Sequence, residues 1–277
     1  MAPLGVMSVN VNGVRAAARK GGIAWIGEQL RSGRVAVACL QEVRATNNQL
    51  QEVLVELGLD GLHVATDEST RLGHSGVAML STKPLSGVKA GVGPKDFAGT
   101  GRWVQGTIET ASGPLTVASV YVFAGDIEKP VQQEKYKFLD AMTKWFKNAQ
   151  TKAAAGEGHF LACGDFNVGH TKLDIKNWKG NVGKAGFHPD EQRRMDEWFN
   201  EVGVVDLGRK FAGEVEGPYT WWSNRGQAFD TNTGWRIDYH VSTSGLAEKL
   251  AEVKIDKADS YAERWSDHAP ITATFKL

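Results

Sequence analysis

Six strand-like apolar runs in this chain end in, or carry near their end, an amide, a carboxylate, a phenol or a histidine. The first carries Asn10, with Asn12 just beyond it. The second, VAVACLQE, ends in Glu42. The third, at 115–123, carries Tyr121 near its end. HFLACGDFN ends in Asp165 and Asn167. RIDYHV carries Asp238 on the face opposite Ile237 and Tyr239. The motif SDH places Asp267 and His268 just before the last strand. If these ends meet, four carboxylates share one site with two or three carboxamides, an imidazole and a phenol. Crowded carboxylates repel one another, and burial adds to the cost. A hard divalent cation relieves both. Oxygen donors from Glu, Asp and Asn suit Mg²⁺ or Mn²⁺ rather than zinc. One His without Cys is not a structural zinc set. Such a cluster with a metal serves phosphoryl chemistry, because the metal stabilises charge building on phosphate oxygens. Each residue also has a plainer reading alone. Asp165 and Asn167 are good turn formers, Glu42 could be a solvated strand end, and Tyr121 a core tyrosine. Six such ends in one chain argue against all of them being plain.

The elements that must position these residues follow from hydrophobic periodicity. Strands are expected at 6–11, 35–40, 76–80, 104–108, 115–123, 160–163, 204–207, 219–222, 236–241, 253–255 and 271–275. Most are rich in Val, Ile, Thr or aromatic residues and are bounded by Gly, Pro, Asn or Asp. Helices are expected at 22–30, 47–57, 130–147, 191–202 and 246–253, from apolar residues three and four apart. Strands outnumber helices, and many are separated only by short turns. That favours mixed sheets with helices outside over a strictly alternating parallel fold. The clearest composition break is 148–158 (NAQTKAAAGEG), which reads as a polar linker between two halves of one domain spanning 1–277.

Composition narrows the function classes. The 277 residues are 42% hydrophobic and 23% charged, which excludes a disordered or fibrous chain. No run reaches the roughly 18 apolar residues of a membrane helix. No basic-then-apolar leader is visible, so a cytoplasmic protein with no membrane partner is expected. Thirty-two basic residues balance thirty-two acidic ones, which excludes binding through a bulk basic field and leaves only a local patch. Cys39 and Cys163 each sit in an apolar run and read as buried core thiols.

At these motifs the chain resembles the exonuclease III family of class II abasic-site endonucleases, within the endonuclease/exonuclease/phosphatase superfamily. The resemblance runs from Ser8 to the C-terminus. Its segments are NVNGVR, LQEVR, GHSGVAMLS, SVYV, CGDFNVGH, LDIKNWKGNVGKAGF, YTWW, GWRIDY and SDHAPI. GDFN and SDH are shared by the wider superfamily, whereas NWKGNVGKAGF and GWRIDY belong to its DNA-repair branch. The resemblance implies a four-layered α/β sandwich of the deoxyribonuclease I type, with two mixed sheets face to face and helices outside. It also implies roles. Glu42 is the principal metal ligand, with Asn10 and Asp267 close to the ion. Asp238 orients His268, which contacts the scissile phosphate. Asp165 orients or deprotonates the attacking water, Asn167 holds the water or a phosphate oxygen, and Tyr121 donates to the phosphate. With a second ion, Asp165, Asn167 and His268 become ligands.

The implied activity is Mg²⁺-dependent hydrolysis (with Mn²⁺ as an alternative) on the 5′ side of an abasic sugar, leaving a 3′-hydroxyl. Exonuclease action from 3′ ends and 3′-phosphate removal share the site. The implied partner is double-stranded DNA with abasic sites or blocked 3′ ends, met by a monomer. Trp221, Trp235 and Ile237 match the family's pocket for the extruded sugar, and a missing base makes extrusion cheap. Arg15, Arg44, His74, Asn177, Lys179, Asn181 and Lys184 match its backbone contacts. Between His170 and Arg194, six basic residues face three acidic ones, a local excess in a neutral chain. The chain departs from the family pattern at four places. Ala124 stands where an asparagine is common, His74 replaces a tyrosine, Trp178 a proline, and Asn12 an aspartate of some members. Two other readings are weaker. A small-phosphoester phosphatase leaves NWKGNVGKAGF and GWRIDY unexplained, and a non-catalytic DNA binder gains nothing from buried carboxylates facing phosphate.

Overall fold

The computed structural model describes residues 3–93 and 97–277. In chain order the first elements are β1 (Leu4–Asn10), α1 (Val14–Arg19), α2 (Gly22–Arg31), β2 (Val37–Gln41), α3 (Asn47–Glu56) and β3 (His63–Asp67). Next come β4 (Val77–Ser81), β5 (Ser86–Ala90), β6 (Trp103–Thr110), β7 (Gly113–Tyr121), α4 (Val131–Ala154) and β8 (His159–Asp165). The rest are α5 (Pro189–Asp196), β9 (Val205–Asp206), α6 (Leu207–Ala212), β10 (Asp238–Ser242), α7 (Ser244–Ala247), β11 (Leu250–Ile255) and β12 (Ile271–Phe275). They form two six-stranded mixed sheets, ordered β11-β12-β1-β2-β4-β3 and β5-β6-β7-β8-β10-β9. Each sheet draws strands from both halves of the chain. No helix of the described residues is long and apolar enough to cross a membrane.

Strand alternation separates the layers. In β1, Leu4 and Val6 face the second sheet, while Met7 and Val9 face α1, α2 and α3. In β7, Leu115 and Val117 face inward, while Ala118 and Val120 meet Phe138 and Met142 of α4. Both faces of the central strands are therefore covered. That is why they read as continuous apolar runs rather than alternating ones. The expected four-layered sandwich is what forms.

Several expected elements differ. The half-exposed β3 and the exposed β5 are sheet edges, and strands as polar as HVATD and SGVKA give no apolar run to detect. The short helices α1 and α6 lacked a detectable period for the same reason of length. The segment 219–222 is not a strand. Trp221 makes only single bridges to Trp235 and His268, so its aromatic content reflects a wall rather than a ladder. The helix expected at 246–253 stops at Ala247 and gives way to β11. The helix expected at 191–202 starts at Pro189 and ends in a π-helical turn, Glu197–Val202. The expected linker at 148–158 is mostly the end of α4, since Ala is the best helix former and Gly156, at φ 77°, ends the run. Seven strands precede that point and five follow it.

A buried ion network fixes the entry to β10. Arg236 (2% exposed) donates through Nε to Asp174 at 2.7 Å and through Nη1 and Nη2 to Asp206 at 3.1 and 2.7 Å. Arg209 adds a second donor to Asp174 at 2.6 Å. Burial would raise the Asp174 carboxyl, but Arg236 and Arg209 outweigh it and hold its pKa below the usual carboxylate value. Replacing Arg236 with Met leaves Asp206 without a cation in a dry interior and Asp174 with Arg209 alone. Urea denaturation of Arg236→Met is expected to show a loss of about 3–5 kcal/mol. An unchanged midpoint would contradict a role for the network in stability.

Candidate active site

The inward face of the core turns polar toward one rim. Along β1 it runs Leu4, Val6, Ser8, Asn10; along β7, Leu115, Val117, Ser119, Tyr121; along β8, Leu161, Cys163, Asp165. β10 runs the other way, from Asp238 through His240 to Ser242. Ser8 donates to Gln41 at 3.2 Å and Gln41 to Ser119 at 3.1 Å, which closes a polar layer between the sheets. Above it, register places Tyr121 beside Asp165 and Asp165 beside Asp238, three residues abreast on neighbouring strands. Gly164 permits this packing, because a Cβ there would lie 1.8 Å from the Val120 carbonyl oxygen.

Side chains of the other sheet reach the same rim. The Asn10 amide donates to Glu42 at 2.8 Å and to Asp165 at 3.0 Å. Asn10 Oδ1 accepts from the Asn12 backbone at 3.0 Å. Asn12 Nδ2 donates to Asp267 Oδ1 at 2.8 Å, and Trp221 Nε1 donates to Oδ2 at 3.1 Å. Asparagine at position 12 thus orients Asp267, which an aspartate there could do only if protonated. Burial pushes the Asp267 carboxyl up, yet His268, Trp221 and Asn12 together hold it below its usual pKa. Arg44 pairs with Glu42. Glu42 and Arg44 both have φ 49°, and Asn167 has φ 51°, an uncommon conformation for residues with a Cβ. Asn167 N donates to Asp165 Oδ1 at 2.9 Å, and its side chain donates to the Val122 carbonyl at 2.9 Å.

His268 sits between two carboxylates. Its Nδ1 donates to Asp238 at 2.9 Å, and its Nε2 lies 3.8 Å from Asp165. Thr220 Oγ1 donates to the same Asp238 oxygen at 2.6 Å. Burial pulls the imidazole down, but Asp238, Asp165 and Asp267 outweigh it and push its pKa up to about 10. Burial pushes Asp165 up to about 7, Asp238 and Glu42 add to the effect, and His268 opposes it. Burial with the Glu42 and Asp165 charges also raises Tyr121 far above its ordinary value, so the phenol stays protonated. One ligand atom each of Asp165, Asp238 and His268 lies within 4.8 Å of the others. Asp238 Oδ1 is buried without a hydrogen-bond partner among the described residues. An oxygen-rich donor set with an unpaired buried carboxylate oxygen fits a hard divalent cation.

All the catalytic and metal residues expected from sequence, Asn10, Glu42, Tyr121, Asp165, Asn167, Asp238, Asp267 and His268, meet at this rim. Trp221 and Trp235 pack edge to face with centroids 6.1 Å apart, and Ile237 is buried. Arg15, Arg44, His74, Asn177, Lys179 and Lys184 are exposed on loops and short helices, and Asn181 is half-buried. Pairing leaves the basic excess at 170–194 unchanged but narrows it to three lysines. Lys176, Arg193 and Arg194 pair with Glu216, Asp190 and Asp140, and Glu191 is buried against Lys135. Lys172, Lys179 and Lys184 carry no ion pair among the described residues. Sequence reasoning missed Arg102, whose guanidinium stacks 4.8 Å from the Tyr121 ring centroid and 3.7 Å from that of Phe123. It also missed Thr220, although Thr220 lies within the YTWW motif. Nothing in an isolated Arg before a strand signals such a position.

Residues 7–268 match the profile of the Endonuclease/Exonuclease/phosphatase family, to which the chain therefore belongs. An exodeoxyribonuclease of Bacillus subtilis is 31% identical over 96% of this chain and 97% of its own length. The DNA repair nuclease APEX1 of Danio rerio is 30% identical over 96% of this chain and 80% of its own. Among solved structures, an AP endonuclease from Archaeoglobus fulgidus superposes with a TM-score of 0.82 at 24% identity, covering 99% of this chain and 100% of that one. The Neisseria 3′ phosphatase NExo, bound to a product DNA hairpin, gives 0.83 at 23% identity, covering 99% of both chains.

The carboxylates around His268 make a direct prediction. In metal-free protein, ¹⁵N NMR is expected to show a ring protonated on both nitrogens at pH 8. Asp238→Asn removes the largest opposing charge and should lower the His268 pKa by about one unit or more. A neutral ring at pH 8 in the unaltered protein would contradict the carboxylate cage.

Proposed function

We propose that this chain is a DNA-repair phosphodiesterase that cuts duplex DNA on the 5′ side of an abasic sugar and leaves a 3′-hydroxyl. The same site removes phosphates and nucleotides from 3′ ends, the activities that base excision repair requires. The observation that carries this reading is the convergence of Glu42, Asp165, Asp238, Asp267 and His268 on one rim beside the Trp221–Trp235 wall. The names of its relatives, exodeoxyribonuclease and DNA repair nuclease, support it.

Asp165, with a pKa near neutrality in the metal-free site, is the acceptor for the proton of an attacking water. Asn167, two residues on and hydrogen-bonded to Asp165, holds that water or a phosphate oxygen. His268 is kept protonated and aimed by Asp238, so it donates to a phosphate oxygen as charge builds there. Tyr121, held in its neutral form, adds a second donor. Glu42, with Asn10 and Asp267 close by, would hold Mg²⁺ or Mn²⁺, which when bound would supply further positive charge to the phosphate. Asp165, Asn167 and His268 are the ligands a second ion would take.

Recognition uses the rest of the rim. An abasic sugar has little stacking to lose, so it enters the space bounded by Trp221, Trp235 and Ile237, which a full nucleotide overfills. Arg15, Arg44, His74, Asn177, Lys179, Asn181 and Lys184 contact the flanking backbone, and such contacts weaken with salt.

Two outcomes are expected. EDTA abolishes nicking of a synthetic abasic duplex and added Mg²⁺ restores it; undiminished nicking in EDTA rejects the cation. Trp235→Ala reduces the preference for abasic over intact duplex, measured as the ratio of kcat/KM values. An unchanged ratio removes Trp235 from the pocket.

A further inference from the structure

We propose that Lys135, with its partner Glu191, is a positioning residue that holds the backbone of Asn167 in its active conformation. The inference rests on the nuclease reading above. Lys135 lies in the second turn of α4, and its side chain is wholly buried. An ammonium carries three donors. All three are used: Glu191 at 2.8 Å, the Asn167 carbonyl at 2.9 Å and the Ala124 carbonyl at 3.1 Å.

Glu191 is buried as well. Its Oε1 accepts from Gln132 at 2.8 Å. Its Oε2 accepts from the Gly186 and His188 backbone at 2.8 and 3.2 Å. One ion pair therefore joins α4, the loop after β7, the loop after β8 and the loop before α5. The last of these carries Asn181 and Lys184. It also presses on the site, since a Cβ on Gly186 would lie 3.3 Å from the Asn167 carbonyl oxygen and 3.1 Å from the Trp235 ring.

A buried ion pair is a poor way to pack a helix, because apolar side chains of similar volume are often as stable or more so. What an apolar pair cannot do is fix carbonyl groups. Asn167 gains from that, because its φ of 51° lies in the left-handed region, which asparagine tolerates better than other residues with a Cβ but which still has to be held against the extended alternatives. Asp165 takes its N–H, Val122 accepts from its side chain, and Lys135 fixes its carbonyl. Lys135 also fixes the Ala124 carbonyl, so that loop keeps its backbone although the family's asparagine side chain is gone.

The test is single-turnover cleavage of an abasic duplex with saturating Mg²⁺, in Lys135→Met and in Asn167→Ala, singly and combined. Misplacing a catalytic group by about 1 Å costs on the order of 10²-fold. Lys135→Met is expected to lose rate on that scale, with DNA affinity changed by less than about threefold. In the Asn167→Ala background the same change should cost little more, because both act through one group. A full additional loss in that background, or an unchanged rate in folded Lys135→Met, overturns the inference. Glu191→Gln serves if Lys135→Met does not fold. It keeps the shape but turns a donor toward Gly186 N, and the same non-additivity with Asn167→Ala is expected; additive losses again overturn the inference. Unaltered protein is run alongside. If it fails to nick, the nuclease reading fails with the inference; if it nicks and the variants nick equally well, only the inference fails.

Discussion

Mutual repulsion among Glu42, Asp165, Asp238 and Asp267 is the constraint around which this rim is built. Like charges held this close in a poorly hydrated place raise one another's pKa and destabilise the fold unless positive charge or hydrogen-bond donors offset them. The chain supplies these in graded form. Asn10 donates to two of the carboxylates, Asn12 and Trp221 to a third, and Thr220 and His268 to the fourth. The offset is incomplete, since Asp165 remains raised and one oxygen of Asp238 is unpaired. A site left short of positive charge is suited to a reaction in which a cation and a phosphodiester arrive together. The same donors that stabilise the resting carboxylates are then close to the charge that develops on the phosphate.

The fold produces this crowding by a simple device. The two sheets face each other over an apolar core, and the inward rows of β1, β7 and β8 pass from Leu and Val through Ser or Cys to Asn, Tyr and Asp. β10 enters with Asp238 at the same level because it runs antiparallel to β8. A shift of one residue in any pairing would turn that strand's polar end toward the helices. Register is therefore as much a part of the catalytic apparatus as the side chains are.

That device is also why the site was more legible than parts of the fold. A carboxylate, amide, phenol or histidine at the end of an apolar strand is visible in a single sequence, and six such strand ends named the residues that meet. The buried central strands were visible as apolar runs. The edge strands β3 and β5 were not, because an edge half in water has no reason to be apolar. The YTWW segment misled in the other direction, since aromatic wall residues and strand residues share a composition. Charge counting reached the local excess but not its carriers. It counted Arg194 and Glu191 alike with the lysines, whereas one pairs with Asp140 and the other is enclosed with Lys135. Pairing across 50 residues or more is a property of the fold, which a local window does not contain.

Two buried ion networks bracket the carboxylate row, and their placement explains why charge is tolerated there at all. Arg236 immediately precedes Ile237 and Asp238, and its bonds to Asp174 and Asp206 fix where β10 begins. Lys135 grips Asn167, two residues past Asp165, where β8 ends. One network sets the strand that carries the histidine's partner, and the other sets the turn beside Asp165. Burial pulls the Lys135 pKa below its ordinary value, while Glu191 and, less strongly, the Asp165 carboxylate favour its charged form. The reciprocal effect is that a charged Lys135 favours ionised Asp165. Geometry and electrostatics are thus supplied by the same buried cation, and an apolar replacement could at best preserve the packing.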